Sequence, residues 1–281
     1  GGGSIFEEFF GGGRRANPNG AADGADLRYD LEIDLEDAVF GADKKLQVPR
    51  MESCGHCSGS GAEPGSGKSR CGRCGGTGQV TTSAGFFSMR QPCPSCGGAG
   101  EIIEKPCRKC RGEGRVRVEK TLQVHIPPGV DSGSKLRLVR EGESGRRGGE
   151  PGDLYVFIHV HPHRVFVRSG NDLICEVPVP FHTAALGGIV SVPTFSGAAK
   201  MKIPEGTQDG ARLRIKGKGV PALRGGGRGD LNIIVHVEIP TGLSGEQKKQ
   251  LQSFCDSLNS KNYPRRKAFE NAAGNFLQED Q

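Results

Sequence analysis

Tryptophan is absent from this 281-residue chain, and aromatic residues make up only 6% of it. Single-stranded nucleic acid is held largely by stacking bases on exposed aromatics, so that class of binder is poorly supplied. No stretch approaches the roughly 18 consecutive apolar residues of a membrane span, and no apolar leader opens the sequence. Enzyme signatures are missing too: there is no phosphate-binding glycine loop, no Gly-x-Ser-x-Gly, and no carboxylate pair whose spacing stands out.

Cysteine, by contrast, is concentrated. Of ten cysteines, eight fall into four copies of Cys-x-x-Cys-x-Gly-x-Gly, which begin at Cys54, Cys71, Cys93 and Cys107. Each copy offers two thiolates from one tight turn, half of a tetrahedral four-sulfur site, so four copies match two zinc ions per chain with no ligand left over. The glycines at 59 and 61, 76 and 78, 98 and 100, and 112 and 114 supply backbone conformations that a side chain would oppose. A disulfide framework suits small secreted domains, whereas a chain of this length can bury a core without staples. A thiol-disulfide oxidoreductase needs one exposed, low-pKa thiolate rather than paired knuckles, and stands as the alternative reading.

The net charge of +6 could point to nucleic acid. From Met51 to Val118, ten Lys/Arg face five Asp/Glu, but eight thiolates with two dications would bring that surplus of +5 to about +1. A phosphate-binding patch needs more than that, so a zinc-knuckle nucleic-acid binder ranks behind the other readings.

A repeat runs through the remainder. Shifted by 77 residues, Ile126-Pro-Pro-Gly129-x-x-x-Gly133-x-Lys-Leu136-Arg-Leu138 falls on Ile203-Pro-Glu-Gly206-x-x-x-Gly210-x-Arg-Leu213-Arg-Ile215. In the same register Gly152-Asp153-Leu154 meets Gly229-Asp230-Leu231. Two similar domains in tandem are expected. Period-two alternation at Leu31/Ile33/Leu35, Leu46/Val48, Leu122/Val124/Ile126 and Leu136/Leu138 makes them β structure. The fold class is therefore mainly β, with two β-sandwich-like domains. The first comprises residues 26–50 and 117–163, interrupted by the cysteine-rich module at 51–116; the second covers 164–240.

Ser244 and Gln247 form a capping-box signature, and Leu251, Phe254, Cys255 and Leu258 follow at helical spacing, predicting a terminal helix within 241–258. Its apolar stripe fits either the chain's own β domain or a twofold interface through Leu251, Phe254 and Leu258. Residues 1–25, with Ile5, Phe6, Phe9 and Phe10 among glycines, read as flexible linker, and 259–281 as a mobile polar tail. His159, His161 and His163 have the period of one strand face, but Pro162 interrupts them, so a histidine metal site is not favoured. Cys175 and Cys255 read as buried apolar residues.

With Gly85-Phe86-Phe87 between the second and third knuckles, these features resemble the DnaJ family of type A J-domain co-chaperones, in its bacterial or organellar form. Ala25-Asp26-Leu27-Arg28-Tyr29, Pro151-Gly152-Asp153-Leu154-Tyr155-Val156, Ala184-Ala185-Leu186-Gly187-Gly188 and Lys216-Gly217-Lys218-Gly219 carry the likeness further, over about residues 5 to 270. The resemblance implies a heat-shock co-chaperone of the cytoplasm, or of an organelle's stroma or matrix. It would bind unfolded polypeptides, keep them from aggregating and deliver them to a DnaK-type ATPase chaperone. It also implies a homodimer through the terminal helix, with no enzymatic activity. Spacing leaves the knuckle pairing open; the resemblance implies first with fourth, placing one zinc on Cys54, Cys57, Cys107 and Cys110. The second zinc is then on Cys71, Cys74, Cys93 and Cys96. Aligned with the family's client groove, Leu31, Leu46, Val48, Leu122 and Val156 are the candidate lining. The family's N-terminal J-domain, with its His-Pro-Asp loop that stimulates the DnaK ATPase, has no counterpart in these residues. The single His-Pro, His161-Pro162, is followed by His163. The expectation is a chain without its J-domain that starts in the Gly/Phe-rich linker.

Overall fold

Alternation of apolar and charged residues sets the first strand. In β1 (Leu27–Ile33), Leu31 and Ile33 are buried while Arg28, Asp30 and Glu32 face out, the pattern of a strand with one wet face. The computed structural model describes residues 20–84 and 87–277, and these are mainly β. The expectations for Ile5, Phe6, Phe9, Phe10 and Phe86 lie outside the described residues. Two compact units divide the chain, Gly1–Val167 with Gly219–Gly229, and Arg168–Lys218 with Asp230–Gln281.

In the first unit β1 leads into α1 (Leu35–Phe40), whose three buried residues seat it on the core and which stops at Gly41. Strand β2 (Ala42–Ser53) follows. The cysteine-rich arm holds only short strands, β3 (Lys68–Arg70), β4 (Gln79–Ala84), β5 (Phe87–Pro92) and β6 (Glu101–Ile103), paired antiparallel as β3 with β6 and β4 with β5. Strand β7 (Arg115–Ile126) then runs back along β2 for twelve pairs, from Ser53↔Arg115 to Ala42↔Ile126. Strands β8 (Lys135–Leu138) and β9 (Leu154–Val160) complete a sheet of order β1-β9-β8, with β1 parallel and β8 antiparallel to β9. Ile33, Leu46, Ile126, Leu154, Val156 and Ile158 fill its core at 2% exposure or less, each contributing about 1.5–3 kcal/mol by burial.

The second unit repeats this plan. Its strands are β10 (Phe166–Ser169), β11 (Asp172–Pro180), β12 (Gly188–Thr194), β13 (Gly197–Ile203), β14 (Arg212–Ile215) and β15 (Leu231–Glu238), with α2 (Phe181–Leu186) between β11 and β12. The sheet order is β10-β11-β15-β14, again parallel then antiparallel at β11-β15-β14. The 77-residue register holds in space: the pair Leu136↔Val156 recurs as Leu213↔Ile233. Strands β12 and β13 join through Phe195 and Ser196, whereas the matching strands β2 and β7 carry the whole arm at that point.

The repeated Gly-Asp-Leu has a structural reason. The Asp153 amide donates to Asp26 Oδ1 (2.8 Å), while its carboxylate accepts from the Arg140 amide (2.8 Å) and Arg137 Nε (2.6 Å). In the second unit the Asp230 amide donates to Asp172 (2.7 Å), and its carboxylate accepts from the Gly217 amide (2.8 Å). One aspartate thus ties the start of its strand to the start of the neighbouring parallel strand and to a turn in each copy.

Among the described residues, parts of both ends carry structure. Residues 22–24, read as linker, lie against the loop at 143–150: Ala22 bridges Arg146, and the Gly24 amide donates to the Glu150 carbonyl (2.8 Å). A Cβ on Gly149 would sit 2.1 Å from the Ala22 carbonyl oxygen, so glycine permits that approach. Residues 259–281, read as a mobile tail, carry α4 (Pro264–Ala273), with Pro at its start where the missing N–H costs nothing. The terminal helix α3 (Gly245–Asp256) has both hydrogen bonds of the capping box, Ser244 with Gln247. Cys255 lies exposed on α3, contrary to the reading that buried it, because α3 has no buried residue; Cys175 is buried as expected.

Candidate functional site

Each knuckle turns the chain with three positive-φ positions after its second cysteine. Ser58, Gly75, Gly97 and Arg111, directly after the second cysteine, have positive φ of 50 to 58°, and the glycine after each lies at 81 to 95°. The final glycine, at 72 to 78°, aims its amide back at the second thiol. Those bonds are Gly61 to Cys57 Sγ (3.3 Å), Gly78 to Cys74 (3.3 Å), Gly100 to Cys96 (3.2 Å) and Gly114 to Cys110 (3.2 Å). Sequence reading assigned these glycines to turn geometry alone; their role as donors to sulfur was not legible.

The knuckles meet in reciprocal pairs. Cys107 N donates to Gly61 O (2.8 Å) and Cys54 N to Gly114 O (2.8 Å), joining the first and fourth; Cys93 to Gly78 and Cys71 to Gly100 (both 2.9 Å) join the second and third. The approach excludes side chains, since a Cβ on Gly61 would lie 2.4 Å from Gly112 O and one on Gly114 2.4 Å from Gly59 O. Two sulfur clusters result, Cys54, Cys57, Cys107 and Cys110 at the base of the arm, and Cys71, Cys74, Cys93 and Cys96 beyond it, with the sulfurs of each within 4.8 Å of one another.

The clusters fit a tetrahedral dication. Sulfur separations are 3.9 Å (Cys54 to Cys107), 3.7 Å (Cys57 to Cys110), 3.9 Å (Cys71 to Cys93) and 3.8 Å (Cys74 to Cys96). Bonds of about 2.3 Å to a tetrahedral zinc would set the sulfurs about 3.8 Å apart. Burial opposes ionisation of Cys57, yet the Gly61 amide and neighbouring thiols pull its pKa down to about 6. Cys110 goes the other way, to about 11, because burial and donation to Cys107 and Cys57 outweigh the amides of Gly114 and Gly112. At the distal cluster burial again opposes ionisation of Cys74, and the Gly78 amide and the Cys71 thiol bring it to about 6. The Cys74 amide draws Cys71 down, but burial and donation to Cys74 and Cys96 leave it raised. A bound dication would allow all four sulfurs of a cluster to be thiolates at once.

The other candidates separate. His159, His161 and His163 face Asp30 (3.0 Å), Glu32 (3.5 Å) and Glu36 (3.2 Å) respectively, and do not converge on one point. The proposed groove residues are core: Leu46, Val48 and Val156 are 1, 3 and 0% exposed, and Leu31 and Leu122 keep 9 and 8%. All five belong to one core cluster of the first unit. The residues packed on this cluster that remain partly open are Leu27 and Tyr29 on β1, Leu136 and Leu138 on β8 and Val160 on β9, none of which the sequence reading singled out as lining.

Beside them, β1 has one strand partner among the described residues. Leu27 N donates to Asp153 O and His161 N to Ile33 O, which turns the main chain of the odd residues toward β9. The N–H and C=O groups of Arg28, Asp30 and Glu32 therefore face away from the sheet, an edge open to a further strand.

The family model for the DnaJ C-terminal domain matches residues 27–240. The Chaperone protein DnaJ of Caulobacter vibrioides is 47% identical over 276 residues, which cover 95% of this chain and 71% of that protein. Those of Methylorubrum extorquens (45% over 284 residues, 97% and 74% covered) and Vesicomyosocius okutanii (47% over 255 residues, 91% and 70%) are similar to it to the same degree. With two four-cysteine clusters on an arm between the strands of a duplicated β domain, this chain belongs to the DnaJ family of chaperones and is not an enzyme.

Proposed function

We propose that the chain binds extended, non-native polypeptides along β1, holds them against aggregation and passes them to a DnaK-type chaperone. The observation that carries this reading is the open edge of β1 beside partly exposed Leu27 and Tyr29. A client strand there would be held by main-chain hydrogen bonds, which do not depend on its sequence, while the apolar flank selects hydrophobic side chains. Each four-cysteine cluster would hold one zinc ion, which serves as a cross-link in an arm with little apolar core of its own.

Asp30→Pro tests the edge directly. The substitution deletes an N–H that points away from β9, so the sheet keeps its ladder while an added strand loses a donor and meets the ring. The expected result is a client affinity about tenfold weaker, on the order of 1.4 kcal/mol, measured by anisotropy of a labelled apolar peptide, with unchanged circular dichroism. Native affinity in a folded variant would remove β1 from the client site.

A homodimer through the C-terminal segment belongs to the same reading. No residue of α3 is buried, Phe254 and Phe269 are 54 and 65% exposed, and a cavity of about 290 Å³ lined by Leu258, Tyr263 and Lys267 lies alongside. Exposed apolar side chains on two consecutive helices suit a second copy. Phe254→Asp with Leu258→Asp is expected to yield monomers of native β content, because an interface would have to desolvate both carboxylates. Sedimentation showing the unmodified chain monomeric at tens of micromolar, roughly where a weak dimer forms, would defeat this part.

A further inference from the structure

We infer that Glu63 straps the basal metal site shut, so that the distal site surrenders its metal first; the inference rests on the zinc reading above. Glu63 follows the first knuckle, and its carboxylate reaches both knuckles of the basal pair. Oε2 accepts from the Arg108 amide in the fourth knuckle (2.9 Å), and Oε1 meets His56 Nε2 inside the first (3.2 Å). The backbone holds it there: Glu63 N donates to Lys105 O (2.8 Å), and Ala62 bridges Pro106. To open the basal cluster, the first and fourth knuckles must separate, and the strap resists that motion.

Among the described residues, the distal pair has no carboxylate that reaches into both of its knuckles; the Lys68–Glu101 ion pair (3.5 Å) joins only the segments that flank them. The distal knuckles read Cys-Gly-Arg-Cys and Cys-Pro-Ser-Cys, with Arg73 and Ser95 where the basal pair has His56 and Lys109. Among the described residues, no carboxylate hydrogen bond or ion pair links these two knuckles. Exposure points the same way. All four basal cysteines are buried and Val116 packs against them, whereas Cys74 and Cys96 are only partly buried and open in part to an incoming chelator. Glu63 is thus a positioning residue, acting on the sulfurs through the knuckles that carry them.

The test is zinc release from the loaded, full chain into excess chelator, followed with a chromogenic zinc indicator. Two phases of one equivalent each are expected, and Cys71→Ser with Cys74→Ser should abolish the fast one. Glu63→Ala should speed the slow phase about tenfold, in the range found for residues that orient metal ligands, and leave the fast phase alone. Glu63→Gln, which keeps an acceptor for the Arg108 amide, should fall between. The cobalt-loaded Glu63→Ala chain should retain the thiolate-to-metal absorption of two four-sulfur sites, which separates loosened closure from a lost ligand or a misfolded arm. Single-phase release, a slow phase abolished by the distal serines, or a slow phase indifferent to Glu63→Ala overturns the inference while leaving two bound zinc ions in place. A zinc content below two overturns the metal reading itself, and the inference with it.

Discussion

Serine at both Cys71 and Cys74 is expected to lower the zinc content from two ions per chain to one and to unfold the distal part of the arm, while both β units melt as before. The two distal sulfurs that remain, Cys93 and Cys96, form half a tetrahedron, too little to retain a structural ion. Structural zinc contributes about 10–16 kcal/mol to the element it closes. Nothing else in the distal arm approaches that figure: β3 and β6 pair over three residues, β4 and β5 form a lone two-stranded ribbon, and such ribbons are marginal in water. The basal cluster should still load, because its four ligands lie outside 71–100 and pair with one another. The same separation shields the β units, whose core residues belong to other strands. Metal analysis of the reduced, purified variant, with limited proteolysis and a thermal melt, checks each part. Two retained ions, or an arm as protease-resistant as the parent, would refute the assignment of these sulfurs to one site.

Leu122→Asp is expected to unfold the first unit rather than to block a groove on it. Leu122 pairs with Leu46 across the β2–β7 ribbon and is 8% exposed within the core cluster. Removing a core leucine costs about 2–5 kcal/mol, and a carboxylate left there without a partner adds more. A loss of at least about 4 kcal/mol is therefore expected, comparable to the whole stability of many domains. Urea unfolding followed by circular dichroism measures it. Loss of client binding in this variant would be a consequence of unfolding, whereas the same loss in Asp30→Pro would arise in a folded chain. A native unfolding curve for Leu122→Asp would return Leu122 to the surface and reinstate it as groove lining.

That contrast marks where reading residues in order reaches its limit. Alternation put Leu31, Leu46, Val48 and Leu122 on one face of their strands, because side-chain direction along a strand has a period of two whatever the fold, and Val156, placed by the resemblance, joins them in the core. Whether the inward face ends at a groove or under another layer depends on strands far away in sequence, and here β2, β7 and β9 close over it. Cys255 failed for a related reason. Its helical spacing with Leu251 and Leu258 is real, but a stripe shows that a helix has an apolar face and not what covers that face.

The knuckle thiols, the duplicated β unit and the helix cap were legible from spacing alone, since each follows from geometry that closes within a few residues or repeats at a constant interval. The matching ladders Leu136↔Val156 and Leu213↔Ile233 are the duplication made visible. Other features join residues far apart in the chain: the carboxylate of Glu63 lying across the first and fourth knuckles, and the main chain of Arg28, Asp30 and Glu32 left facing outward. Those relations came only with the folded chain, because they are set by how whole strands and turns pack, and local spacing carries no record of that packing.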